Sequence, residues 1–148
     1  MKTKPKKKAA METFTFLGAT FNVTGLRAYA ESHGLGTRAV SLESVAKLCN
    51  FKALAGEGGG LSLFAIDPAR AAQLPDAALE APGIIVRFAG STLLIDGHHR
   101  AYRRWRAGEQ TMPVYVFDDP DVLARFSNVP RRVLEAAPDG ARSQEKSA

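Results

Sequence analysis

Asp96-Gly97-His98-His99-Arg100 brings together, in five consecutive positions, residue types that can grip a phosphate group. The apolar run Leu93-Leu94-Ile95 precedes them and a segment of helical spacing follows, so a strand should enter a tight turn that opens straight into a helix. The first amides of a helix have no internal partners, and the macrodipole adds partial positive charge there. Gly97 would let an anion approach the backbone, and Arg100, one turn into the helix, could fold back as a bidentate ligand. His98 and His99 add donors that can become cationic beside an anion. Asp96, Gly97, His98, His99 and Arg100 are therefore the candidate phosphate- or nucleotide-binding residues, with His98 or His99 as general acid or base. A plainer arrangement of the same residues has Asp96 capping the helix, Gly97 easing the turn and Arg100 in solvent.

The helix that follows is strongly basic. Arg103, Arg104 and Arg106 join Arg100, with Tyr102 and Trp105 between them, a composition that suits nucleic-acid phosphates and base stacking. The spacing of Ala101, Tyr102 and Trp105 favours a core-facing stripe instead, which leaves Arg103, Arg104 and Arg106 as an electrostatic path to the turn. Asp96, His98 and His99 could ligate a metal, but neighbouring turn residues rarely converge alone. Asp118, Asp119 and Asp121 are explained by a helix start. No dedicated metal site is expected, only Mg²⁺ carried by a nucleotide.

Other elements must position this turn. Alternation predicts strands over 14–16 and 19–23 around Gly18, then a helix capped by Thr24 through Ser32 and a second capped by Ser41. In the second, Leu42, Val45, Ala46 and Cys49 share an apolar face, which makes Cys49 a core thiol. The run Gly56-Glu57-Gly58-Gly59-Gly60 lacks the Lys-Ser/Thr ending of a P-loop and reads as a connector. After it come an expected strand over 61–66, a short helix over 69–74, and a hairpin of strands 84–88 and 92–95 turning at Ala89-Gly90-Ser91. The turn helix should run over 98–107 to Gly108, followed by a strand over 113–117. Asp119-Pro120-Asp121 starts another helix and Pro130 begins a last one through Ala137.

With 148 residues, 45% of them apolar and 24% charged, the chain can bury a core without staples. Its one cysteine excludes an intramolecular disulfide and a four-cysteine zinc site. The net charge is +5, and Lys2, Lys4, Lys6, Lys7 and Lys8 account for the whole excess. Such an arm can attract DNA, or it can simply solubilise a disordered end. No apolar run follows the lysines and no stretch reaches membrane-span length, so a cytoplasmic protein with no membrane partner is expected.

Ile84-Ile85-Val86, Leu94-Ile95-Asp96-Gly97-His98-His99-Arg100, Gly108 and Met112-Pro113-Val114-Tyr115-Val116 together resemble the ParB/sulfiredoxin superfamily. In that family a core strand ends in a D-G-x-x-R-like turn, a helix of about three turns follows, and a strand led by proline comes next. The resemblance implies a compact α/β (α+β) domain over residues 61–137, a small mixed sheet with flanking helices. A β/α extension over 12–55 would pack on it, between a disordered basic arm (1–11) and a disordered tail (138–148). It further implies that Gly97, His98, His99 and Arg100 bind the phosphates of a nucleoside triphosphate, ATP or CTP.

Departures from the family narrow the activity. Sulfiredoxin has cysteine where His98 stands, and Cys49 lies in another segment, so that chemistry is not expected. Ser127-Asn128-Val129-Pro130-Arg131 only partly echoes the second phosphate motif of partition proteins. The residues after it are too few for the expected helix-turn-helix domain. Free serine kinases of this fold need a carboxylate base that the sequence does not place. What remains is similar to short plasmid and phage members, with ATPase or nuclease activity on or near DNA. The alternative is a non-catalytic inhibitor or module that binds DNA or a protein target. Deleting residues 1–10 should weaken DNA binding and flatten its salt dependence while leaving nucleotide binding intact. A titration across salt concentrations whose slope stays unchanged would show that these lysines touch no phosphates.

Overall fold

The computed structural model describes residues 11–57 and 66–136. The basic arm, the tail after Ala136, part of the glycine-rich connector and the strand expected over 61–66 lie outside the described residues, except that Ile66 is buried and non-strand.

The chain begins with a hairpin, β1 (Thr13–Phe16) and β2 (Ala19–Asn22), whose turn residues Leu17 and Gly18 have φ of 49° and 83°. Two left-handed residues in a two-residue turn match the natural twist of paired strands. Helix α1 (Val23–Ser32) follows at once, and Asn22, not Thr24, caps it: its side-chain oxygen accepts from the Gly25 amide at 2.8 Å. Thr24 lies in the first turn, where its hydroxyl accepts from the Glu12 amide at 2.7 Å. Next come β3 (Arg38–Ser41), α2 (Leu42–Cys49) with Ser41 as its cap, and α3 (Phe51–Leu54). Helix α4 (Pro68–Ala72) has Asp67 as cap and proline at its first position, and α5 (Asp76–Leu79) is a single turn.

The remaining elements form the centre of the molecule. Strands β4 (Gly83–Phe88) and β5 (Ser91–Asp96) make a hairpin, α6 (His98–Arg106) leaves the end of β5, and β6 (Thr111–Phe117) returns. Helices α7 (Pro120–Arg125) and α8 (Arg131–Leu134) close the described chain. The main sheet has the order β3-β6-β4-β5, with β4 parallel to β6 and the other two pairings antiparallel. Fold class is thus α/β with mixed strands. Residues 12–55 supply the edge strand β3 as well as α2, which packs over α6.

Side-chain alternation divides the core into two layers. Ile85, Leu94, Met112 and Val114 face a layer built with Leu42, Val45, Cys49, Phe51 and Tyr102. Ile84, Val86, Ile95 and Phe117 face the other side, against Phe21, Leu26, Ala30 and Leu123. A strand buried on both faces reads as a continuous apolar run, which is why Ile84-Ile85-Val86 is so legible in the sequence. Cys49 is fully buried, as its helical spacing predicts. No described helix is long and apolar enough to cross a membrane.

Helix α1 reaches its layer only because Gly25 has no side chain. A Cβ there would lie 2.6 Å from Phe126 Cδ1 and 2.8 Å from Asn22 Nδ2. Replacing a helical glycine by alanine normally adds about 1 kcal/mol of stability. At this position the clash should outweigh that gain, so Gly25→Ala should lose roughly 1–3 kcal/mol in urea unfolding. Pairing it with Phe126→Leu should recover part of the loss.

Candidate functional site

The turn that the sequence singles out joins the end of β5 to the start of α6. Gly97 occupies the N-cap position with φ of 96°, and the Ala101 amide makes the first intrahelical bond back to the Gly97 carbonyl at 2.8 Å. The amides of His98, His99 and Arg100 therefore precede the helical ladder, as an anion site at a helix start requires. Gly97 is itself buried. A Cβ on it would meet Gly83 Cα at 3.1 Å and Arg100 Nη2 at 3.2 Å. Its backbone conformation and the close approach of β4 both demand glycine, independently of any ligand.

Asp96 does not cap the helix. Its carboxylate turns inward and accepts from two guanidiniums, those of Arg27 on α1 and of Arg100 at 3.2 Å. Both arginines also donate to the Pro82 carbonyl, at 2.8 and 3.3 Å. The three side chains are only 18–25% exposed. Arg27 has no local sequence signal, because it lies 69 residues from its partner.

The two histidines have different surroundings. His98 stacks on Phe14 with ring centroids 5.4 Å apart and donates to the Leu94 backbone. Burial, opposed by Asp96 and reinforced by His99 and Arg100, lowers its pKa to about 4, so it is neutral at physiological pH. His99 accepts the Asp67 amide at Nε2, 3.2 Å away, which ties the start of α4 to the first turn of α6. Its pKa is lowered too, first by burial and then by the nearby Arg70.

Around this turn lies a cleft of about 200 Å³ lined by Asp96 to Arg100 together with Glu12, Arg70 and Leu74. Larger hollows open beside Trp105 and between α4 and α6. The hollow at the start of α2 carries the carboxylates Glu43 and Glu109 and no arginine or lysine in its lining, whereas the turn before α6 has Arg70 and Arg100 beside the leading amides. Glu12 and Arg70 were not visible as site residues in the sequence. Glu12 sits beside the basic arm, yet three backbone contacts pin it to α1: its amide to Thr24 Oγ1, and its carbonyl accepting from Val23 at 2.9 Å and Thr24 at 3.4 Å. A pattern search could have found Arg70 only as part of the Asp67-Pro68 helix start.

The other basic residues of α6 are held by acids or carbonyls. Arg103 pairs with Asp76 at 3.1 Å and Arg106 with Glu57 at 3.3 Å. Arg104 pairs with Glu109 at 2.7 Å and donates to the Leu79 carbonyl at 2.6 Å. These contacts fasten α5 and the segment after α3 to α6 and neutralise much of its charge. Trp105 packs against Phe51 and Tyr102. Asn128, in the partial second motif, clamps the first hairpin: its Oδ1 accepts from the Thr20 amide at 2.8 Å and its Nδ2 donates to the Gly18 carbonyl at 3.1 Å. Among the described residues no three His, Cys, Asp or Glu side chains group as a metal-ligand set.

The low pKa of His98 has a stability consequence. Unfolded, this histidine protonates near 6.5; folded, it resists until about pH 4. The unfolded chain therefore binds more protons in that window, and stability is full above it and falls as the pH drops through it. The loss should reach about 3 kcal/mol. Urea unfolding of the wild type and His98→Gln between pH 7.5 and 4.5 checks this: the difference between them should shrink as the pH falls. A constant difference would mean that His98 is not a buried neutral group.

Comparison of the chain with protein-family models, with curated proteins and with solved structures finds no match.

Proposed function

We propose that the cleft at the start of α6 binds a phosphate group of a nucleotide, and that the protein is a ParB/sulfiredoxin-like phosphohydrolase acting as an ATPase or as a nuclease on or near DNA. The observation that carries this reading is the composition of the cleft: the leading amides of α6, Arg70 and Arg100, and beside the paired Asp96 a second carboxylate, Glu12, that no side chain among the described residues engages. At about 200 Å³ it is smaller than the roughly 300–1,000 Å³ of pockets that enclose a drug-sized ligand. It would take the phosphate end of ATP or CTP, with sugar and base outside.

Charge developing on a transferring phosphoryl group would be stabilised by the preorganised amides and guanidiniums, where such catalysis gains most. The acid–base role first assigned to His98 and His99 fits Glu12 better. His98 is neutral and engaged with Leu94 and Phe14, and the Nε2 lone pair of His99 is occupied by Asp67. Glu12 can accept the proton of an attacking water. A Mg²⁺ brought by the nucleotide would supply further charge neutralisation, and Glu12 is the residue that would reach it.

One observation favours the rival reading of a non-catalytic DNA- or protein-binding module. Arg100 already has internal partners in Asp96 and the Pro82 carbonyl, as a purely structural turn would require. A thermal-shift series separates the two. ATP or CTP with Mg²⁺ should raise the melting temperature, with an effect growing as the logarithm of ligand concentration. Phosphate release should accompany it and vanish in Glu12→Gln. A melting curve that millimolar nucleotide leaves unmoved, with or without Mg²⁺, would sink the nucleotide-binding proposal.

A further inference from the structure

The two arginines that line the cleft are not equivalent, and their difference separates binding from positioning. Arg100 is only 18% exposed, its Nη2 is shared between Asp96 at 3.2 Å and the Pro82 carbonyl at 3.3 Å, and its Nε is buried without an acceptor. Arg70 is exposed, lines the same cleft, and its guanidinium makes no ion pair or hydrogen bond with any described residue. Resting on the reading of the cleft as a phosphate site, we propose that Arg70 is the residue that binds the incoming phosphate and that Arg100 is a positioning residue for the turn.

Competition decides between them. For Arg100 to turn its Nη2 to a ligand it must leave the Asp96 carboxylate, which would then stand beside the incoming phosphate with one guanidinium fewer to neutralise it, and its Nε, which has no acceptor, is buried. Like charges at that range oppose binding. Arg70 has no such partner to give up and needs only to shed water. A guanidinium also matches two phosphate oxygens at once, which a lysine cannot do.

The fold aims Arg70 from a distance. Asp67 caps α4 through the Ala69 amide at 3.0 Å, and the Asp67 amide donates to His99 Nε2 at 3.2 Å. Arg70 stands three residues beyond that anchor, one helical turn along. Ala71 is buried in the layer that contains Ala101 and Tyr102, so the opposite face of α4 packs on α6. His99 is accordingly a positioning residue too: it fixes where α4 begins and therefore where the Arg70 guanidinium can reach. The ligand class is a terminal phosphoryl group, as in pyrophosphate or a nucleoside triphosphate, because only the phosphate end fits the enclosed space.

Calorimetric titration of pyrophosphate and of ATP with Mg²⁺ tests the assignment on wild type, Arg70→Gln, Arg70→Lys and Arg100→Gln, each with its melting temperature. Arg70→Gln should weaken both ligands about ten- to a hundredfold at unchanged melting temperature. Arg70→Lys should recover only part of that, and Arg100→Gln should lower the melting temperature. Equal affinity of wild type and Arg70→Gln, with binding lost in folded Arg100→Gln, overturns the division of roles while leaving the phosphate site standing. Wild type that binds neither ligand overturns the phosphate site itself. Binding of ATP without pyrophosphate would place recognition on the nucleoside and likewise refute Arg70 as a phosphate ligand.

Discussion

The Asp96 carboxylate is shared by guanidiniums from two helices that lie on different sides of the sheet, and the cleft takes its shape from that contact. Arg27 reaches it from α1 and Arg100 from α6, and both also hold the carbonyl of Pro82 at the entry to β4. One carboxylate against two cations leaves a positive charge over, in a place about four-fifths removed from solvent. Removing one member of such a cluster commonly costs several kcal/mol, because the remaining charges stay buried without compensation. The same contact explains the glycine pair. Gly83 and Gly97 touch because β4 and the turn are drawn together, and a Cβ on Gly83 would lie 2.9 Å from the Asp96 carbonyl.

The central part of the molecule was open to sequence reasoning because its signals are local. Buried strands such as β4 are continuous apolar runs, α6 has a left-handed glycine at each end, and α7 begins with its own cap at Asp119. The site's partners were hidden for the opposite reason. Arg27 meets Asp96, and Asp67 meets His99, through folding that no nearby residue announces. Glu12 stands at the start of the ordered extension but gave no sign of lining the turn, since what fixes it there is its backbone rather than its side chain. Strand β3 was missed because Arg38-Ala39-Val40-Ser41 is short, largely exposed and carries little apolar content. It is an edge strand, made by its pairing with β6.

A run of arginines invites an electrostatic interpretation, and here the tertiary structure redistributes it. On α6 the chain uses Arg103, Arg104 and Arg106 to collect Asp76, Glu109, the Leu79 carbonyl and Glu57 from three other segments. Exposed ion pairs of this kind contribute little individually, about 0–1 kcal/mol. Their number on one helix makes α6 a common attachment for otherwise loosely packed pieces. The helix is basic in sequence and nearly balanced in space, whereas Arg70, an inconspicuous residue of a five-residue helix, keeps its charge unspent.

The pairing of β3 with β6 sets an order of assembly. Val40 aligns with Met112 and Arg38 with Val114, so the sheet's edge joins parts of the chain more than seventy residues apart. The hairpin of β4 and β5 and the helix after it are short-range structures whose closure entropy is small. During synthesis they can form as soon as they emerge, while β3 waits for β6 and α1 waits for the Asp96 turn. Topology of this kind slows the final step of folding. The amino-terminal third is thus translated first and completed last, and until then its apolar faces, those of Leu26, Leu42 and Val45 among them, are the ones a chaperone would meet.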